Sequence, residues 1–327
     1  MSTFLHKLNM DVLTIDAARN HPWFLDLLRK WQPSGFPKAP VDVAQNMPLR
    51  LGIRNGYLNF YAQGQSIAKV AFQKRQLKGE IHHKYVDDAA TGQKYVNLDQ
   101  SMQKAAVWGD LETWIGRSKK YHGREKTFVD LVVAANETVI DLEMGLPAYG
   151  YTNPETGKKV APRIDLVALE AVEGGWQVVF WEAKLISDGR ICSNSPEPEV
   201  IKQIRNYKEW FERGSAKQDV LHAYRETCLL LKQMHDYATS QGISAPPLAP
   251  AIVAIAADPT KLLTLDPIVR LIVDARSYDK NTKGHLNYDR VHLPKMQALG
   301  VRVHTVRDET PAGFILPTLS LIEKEAH

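Results

Sequence analysis

The spacing of hydrophobic positions changes several times along the chain, and each change predicts an element. His21–Trp31 reads as a helix, which the proline-rich stretch Gln32–Pro40 stops, because proline lacks the amide that a continuing helix needs. Apolar and alternating runs follow. Leu49–Arg54 and Tyr57–Ala62 flank Asn55-Gly56, a pair favoured at two-residue hairpin turns because both positions accept positive φ. A second turn at Gln63-Gly64 leads to Ser66–Phe72, and Gly79–Val86 supplies a fourth strand, so Met47–Val86 is predicted to be an antiparallel meander. Helical spacing returns in Leu98–Tyr121, with Asp99 as its N-cap, and in Glu125–Asn136, where Phe128, Leu131 and Val132 form one apolar face. Thr138–Leu146 is the next strand, ended by Pro147.

Two apolar, β-branched runs, Ile164–Val172 and Gln177–Leu185, surround Glu173-Gly174-Gly175 and predict a hairpin. Its polar exceptions carry the chemistry. Asp165 interrupts the first strand, while Glu182 and Lys184 interrupt the second on one face, since side chains alternate with period two. A partly buried Asp and Glu at close range repel each other and lose hydration, so a cation between them is needed. Magnesium meets that need with oxygens from one or two carboxylates, a backbone carbonyl and water. The plainer reading is an exposed Asp and an ordinary Glu–Lys edge pair. Glu-x-Lys alone says little; its position after an Asp and a hairpin turn is what favours a metal site.

Downstream, Ser187–Pro198 reads as a polar loop and Glu199–Arg213 as a helix on which Gln203 and Tyr207 stack one turn apart. Ala216–Thr239 is a long amphipathic helix with Cys228 in its buried face. Ala251–Ala257 is read as a central strand, Leu262–Ile272 and Arg290–Leu299 as helices, Gly300–Val306 as a strand and Phe314–Leu321 as an edge strand.

At Asp165, Glu182-Ala183-Lys184 and Gln203 the sequence resembles the PD-(D/E)XK nuclease superfamily, with the restriction-endonuclease-like fold. The spacing Gln203-x-x-x-Tyr207 resembles its RecB-type branch, while Ile164 stands where a proline commonly precedes the Asp. The resemblance spans roughly Ser118–Gly214 and implies a mixed α/β sheet in α-β-β-β-α-β order, preceded by a small antiparallel β module. It divides the chain into an N-terminal module, 1–97, and a nuclease-like domain with its linking helix, 98–327. It implies Mg2+ or Mn2+ held by Asp165, Glu182 and the Ala183 carbonyl, with Lys184 orienting the attacking water and Gln203 and Tyr207 supporting the site. Glu125, at the opening turn of the preceding helix, is the expected first acidic motif; Glu143 is the alternative, as a ligand or as a partner of Arg163.

Composition adds bounds rather than function. At 327 residues, 44% hydrophobic and 24% charged, the chain has the make-up of a globular protein with room for two domains. A formal charge of +4 permits a polyanionic partner. Cys192 and Cys228 are too few for a cysteine-ligated iron–sulfur cluster or zinc ribbon. The opening residues lack a signal-peptide pattern and no run has the length of a membrane span, so a cytoplasmic protein is expected. His82 and His83 are adjacent on a strand and are expected to face opposite ways, which argues against a shared metal. Arg117, Lys119, Lys120, Arg124 and Lys126 crowd around Gly123 and offer phosphate contacts or simply a solvated face. The meander's Tyr57, Phe60, Tyr61, Lys69, Lys74, Arg75 and Lys78 allow a nucleic-acid reader, although core aromatics and a charged sheet edge are favoured. The expected function is metal-dependent hydrolysis of DNA, single- or double-stranded, with a homodimer as the oligomeric form considered. An inactive nucleic-acid-binding or protein-interaction member of the same fold is the alternative.

Overall fold

A computed structural model describes residues 4–14, 21–35, 48–73, 76–86, 95–99, 109–147, 163–276 and 287–325. They gather into two compact units, neither continuous in sequence: Leu5–Asp141 with Ala223–Lys261, and Met1–Phe4 with Leu142–His222 and Leu262–His327. The first unit takes in residues through Asp141, on both sides of the Asn97 position.

The first unit contains an antiparallel sheet in the order β1-β2-β3-β4-β5: β1 (Arg50–Arg54), β2 (Tyr57–Ala62), β3 (Gln65–Gln73), β4 (Gln76–His82) and β5 (Tyr95–Asn97). The Asn55-Gly56 turn forms as the sequence predicts, pairing Arg54 with Tyr57, and Gly56 takes a φ of 82°. Leu58, Phe60, Val70 and Ile81 are fully buried on one face. The fourth strand ends at His82, and residues His83–Val86 turn into a short helix. This bend brings the His82 and His83 rings into a stack with centroids 4.8 Å apart, contrary to the expectation of opposite faces.

The helices of this unit are α1 (Asp11–Thr14), α2 (Pro22–Lys30), α3 (His83–Val86), α4 (Leu111–Ser118) and α5 (Arg124–Ala135), with most of α7 (Ala216–Ser240) and α8 (Pro250–Ala257). The helix expected over Leu98–Tyr121 lies partly outside the described residues. Its later portion starts afresh at Asp110, which caps α4 by accepting from the Thr113 amide after Gly109 at a φ of 80°. Asp99 instead accepts from the Trp23 indole at 2.6 Å. On α5 the buried face is Phe128, Val129, Val132 and Val133, with Leu131 only half-buried. The Gly35 amide donates to the Val133 carbonyl at 2.9 Å, and Arg50 Nε donates to Asp130 at 3.3 Å. Helix α7 contributes Tyr224, whose hydroxyl reaches Asp141 at 3.1 Å, and Thr227, whose hydroxyl lies 2.7 Å from His6 Nδ1. These contacts explain why the unit draws on segments on both sides of the central hairpin.

The second unit holds a mixed six-stranded sheet in the order β11-β10-β8-β7-β6, with β9 also beside β8. Its strands are β6 (Val139–Gly145, shared with the first unit at its start), β7 (Arg163–Val172), β8 (Gly175–Leu185), β9 (Leu262–Leu265), β10 (Arg270–Asp274) and β11 (Val303–Val306). The hairpin β7–β8 is antiparallel and turns at Gly174, with a φ of 74°. Helix α6 (Glu199–Phe211) stacks Phe211 on Phe180 of β8 with ring centroids 4.6 Å apart. Helices α9 (Leu293–Ala298) and α10 (Leu319–Glu325) complete the unit.

Three expectations are corrected. Ala251–Ala257 is helical, because Pro250 suits a first helical turn and Ala251, Ile252 and Ile255 share a buried helical face while Val253 is exposed. Leu262–Ile272 is two strands rather than a helix. Asp266-Pro267 divides it, and the pieces pair in parallel with the start and the end of β8. Phe314–Leu321 is not an edge strand: Pro317 ends the extended stretch and the Thr318 carbonyl accepts from the Leu321 and Ile322 amides to open α10. No helix among the described residues is long and apolar enough to cross a membrane.

Candidate active site

The β7–β8 ladder runs from Val172 opposite Gly175 to Leu166 opposite Trp181. Just beyond that end, the Asp165 carboxylate takes over the role of a ladder acceptor: its Oδ2 accepts from the Ala183 amide at 2.9 Å. This fixes the first carboxylate to the backbone of β8 between Glu182 and Lys184. The period-two reading holds, since Glu182 and Lys184 meet on one face and Lys184 Nζ donates both to Glu182 Oε1 and, at 2.8 Å, to the Ala183 carbonyl. Helix α6 closes over them. Gln203 Nε2 donates to Glu182 Oε1 at 2.7 Å and to the Tyr207 hydroxyl at 2.6 Å.

Tyr207 ties the strands together. Its hydroxyl lies 2.6 Å from the Arg163 carbonyl and 3.1 Å from Glu182 Oε2, and with one proton it donates to one of these at a time. Nothing along the chain marks the Arg163 carbonyl as a partner, because a backbone acceptor has no residue signature.

All three strand residues are removed from water: Asp165 is 6% exposed, Glu182 3% and Lys184 1%. Burial, and then the nearby Asp165 carboxylate, push the Glu182 pKa from 4.5 up to about 7, against the pull of Lys184. Burial and the adjacent Glu182 also raise the Tyr207 phenol well above its usual value, so it stays a neutral donor.

Glu143 belongs to the same unit but is engaged otherwise. It sits on β6 at a φ of 54°, uncommon for a residue other than glycine, and its buried carboxylate accepts from Arg163 Nη1 at 3.1 Å. That is the arginine pairing the sequence offered as one of its two readings. Glu125 stands in the first turn of α5, in the first unit.

Among the described residues, no three His, Cys, Asp or Glu side chains gather as a metal-holding group. What does converge is two buried carboxylates and the Ala183 carbonyl, with the Lys184 ammonium among their oxygens. This donor set fits a magnesium-type ion, which accepts one or two carboxylates and retains several waters.

The basic run falls in the first unit. Arg117 is spent on structure, donating to the Tyr85 and Val86 carbonyls at the end of α3. Lys119 and Lys120 occupy a single turn of 3-10 helix ending at Tyr121; Arg124 and Lys126 lie in the first turn of α5.

Compared with protein-family models, curated proteins and solved structures, the chain matches none. The functional reading therefore rests on the carboxylate geometry itself.

Proposed function

We propose that this chain is a metal-dependent nuclease that hydrolyses phosphodiester bonds in DNA, with a restriction-endonuclease-like core. The observation that carries the reading is the convergence of Asp165, Glu182, Lys184, Gln203 and Tyr207 on the Glu182 carboxylate and the Ala183 backbone. Chain order supports the core assignment: α5, β6, β7, β8 and α6 follow one another, and β10, reached after α7, α8 and β9, completes an α-β-β-β-α-β order with β7 antiparallel and β10 parallel to β8.

Asp165, Glu182 and the Ala183 carbonyl would hold Mg2+ or Mn2+. When bound, the ion supplies Lewis acidity toward the phosphodiester and favours ionised water at neutral pH. Lys184 carries the chain's own part of the chemistry: its buried ammonium, a donor among the carboxylates, orients the attacking water and offsets charge growing on the phosphate. Gln203 and Tyr207 keep Glu182 in one rotamer, which fixes where its oxygens point.

Incubation with labelled linear and circular DNA tests this reading. Cleavage is expected with magnesium or manganese and not with chelator, while calcium supports binding without efficient cutting. Asp165→Asn, Glu182→Gln and Lys184→Ala should each lower the rate about a hundredfold or more with circular dichroism unchanged. Undiminished cutting by Lys184→Ala, or no cutting with either metal, overturns the proposal and leaves an inactive binding protein of the same architecture.

A further inference from the structure

The outward face of the antiparallel sheet in the first unit is unlike its core face. Strand alternation sends Leu58, Phe60, Val70 and Ile81 inward, and leaves Tyr57, Lys69, His82 and Tyr95 half-buried on the other side. Tyr61 shares this side of β2 but is buried beside Arg54, so of the three tyrosine and phenylalanine rings singled out on β2 only Tyr57 is half-exposed on this face. The register explains the grouping: Lys69 of β3 pairs with Asn59 of β2 and Glu80 of β4, and His82 pairs with Tyr95 of β5.

Rings and cations interleave there. Lys69 Nζ lies 5.9 Å from the Tyr57 ring centroid and 4.6 Å from that of Tyr95. His82 stacks on His83 and meets Tyr95 edge-on, with centroids 5.3 Å apart. Where β4 bends into α3, Lys84 Nζ sits 4.8 Å from the Tyr85 centroid and 4.4 Å from that of Tyr121. Tyr121 is 43% exposed, and Lys119 and Lys120 precede it in the same turn. The one carboxylate at these register positions, Glu80, pairs with Lys78 at 3.1 Å, so the described part of the face is net positive.

We propose that Tyr57, Lys69, His82, Lys84, Tyr95 and Tyr121 form a stacking platform for single-stranded DNA. Unstacked bases offer flat π-faces to the tyrosine and histidine rings, and phosphates offer Lys69 and Lys84 a charged acceptor in place of the neutral Tyr95 hydroxyl and Gln65 amide oxygen to which they donate. A duplex hides its base faces, and an acidic peptide supplies charge without planar groups. Partial burial also draws the Lys84 pKa below its usual value, and an adjoining phosphate favours its charged form. The inference does not rest on catalysis at Asp165 and Glu182.

Fluorescence anisotropy of labelled oligothymidylate with the full chain in chelator tests it. Tyr95→Ala and Tyr121→Ala should each weaken binding about tenfold, and Tyr121→Trp should retain it. Lys69→Gln should lower the slope of log affinity against log salt by about 0.7. The exposed Tyr121 ring keeps the test valid if Tyr95→Ala fails to fold. Wild-type affinity in Tyr121→Ala overturns the proposal, as does equal affinity for an abasic phosphate polymer, duplex DNA or polyglutamate. A chain that binds oligothymidylate through these rings yet cuts nothing keeps the platform and loses the nuclease.

Discussion

Glu182 is a carboxyl held where charge is costly, and its titration is the most direct reporter of the site. Its folded pKa of about 7 lies above the ordinary 4.5, so between those values the folded chain keeps a proton that the unfolded chain has released. The resulting stability is complete below about pH 4.5 and is lost as pH rises through about 7. Urea unfolding of the metal-free protein at pH 5 and pH 8 should show this loss, and Glu182→Gln should flatten it; an equal loss in that variant assigns the titration elsewhere. The positions of Asp165, Glu182 and Lys184 were legible because strand period two decides which side chains share a face. The engagement of Glu143 with Arg163, at a positive φ, was one of two readings until β6 and β7 were seen together.

Among the elements, β1, β6 and α7 are joined by a buried network. Arg54 Nη1 donates to both Asp141 oxygens, at 2.8 and 3.0 Å, and the Tyr224 hydroxyl donates to Oδ2 at 3.1 Å. Asp141→Ala leaves the buried Arg54 without its carboxylate and should cost about 3–5 kcal/mol, read as a lower urea midpoint. A change below about 1 kcal/mol places the pair among surface-like bridges. Elements with a sustained period were legible, as α6 and the β1–β2 hairpin illustrate. Short apolar runs were not: Pro250–Ala257 and Leu262–Leu265 have similar hydrophobicity, and opposite outcomes follow from packing and from an available edge on β8.

At the scale of the whole molecule, each of the two compact units is assembled from separated segments of the chain. A fragment of residues 1–141 lacks Ala223–Lys261, and with it Tyr224, Thr227 and Tyr237, which partner Asp141, His6 and Phe24. Such a fragment should show no cooperative thermal transition by circular dichroism, and a sharp transition in it alone would refute the partition. Long-range closure of this kind leaves no local signal, because its contacts join residues whose spacing along the chain carries no period.

The sequence by itself determined the local features: the turn at Asn55-Gly56, the β7–β8 hairpin, the α6 helix and the face shared by Glu182 and Lys184. Each follows from backbone sterics or side-chain period acting over a few residues. Only the tertiary structure decided that Asp165 bonds the Ala183 amide, that Gln203 and Tyr207 close on Glu182, and that Glu125 belongs to the other unit. Those outcomes depend on which distant surfaces exclude water together, a property of the packed chain rather than of any stretch of it.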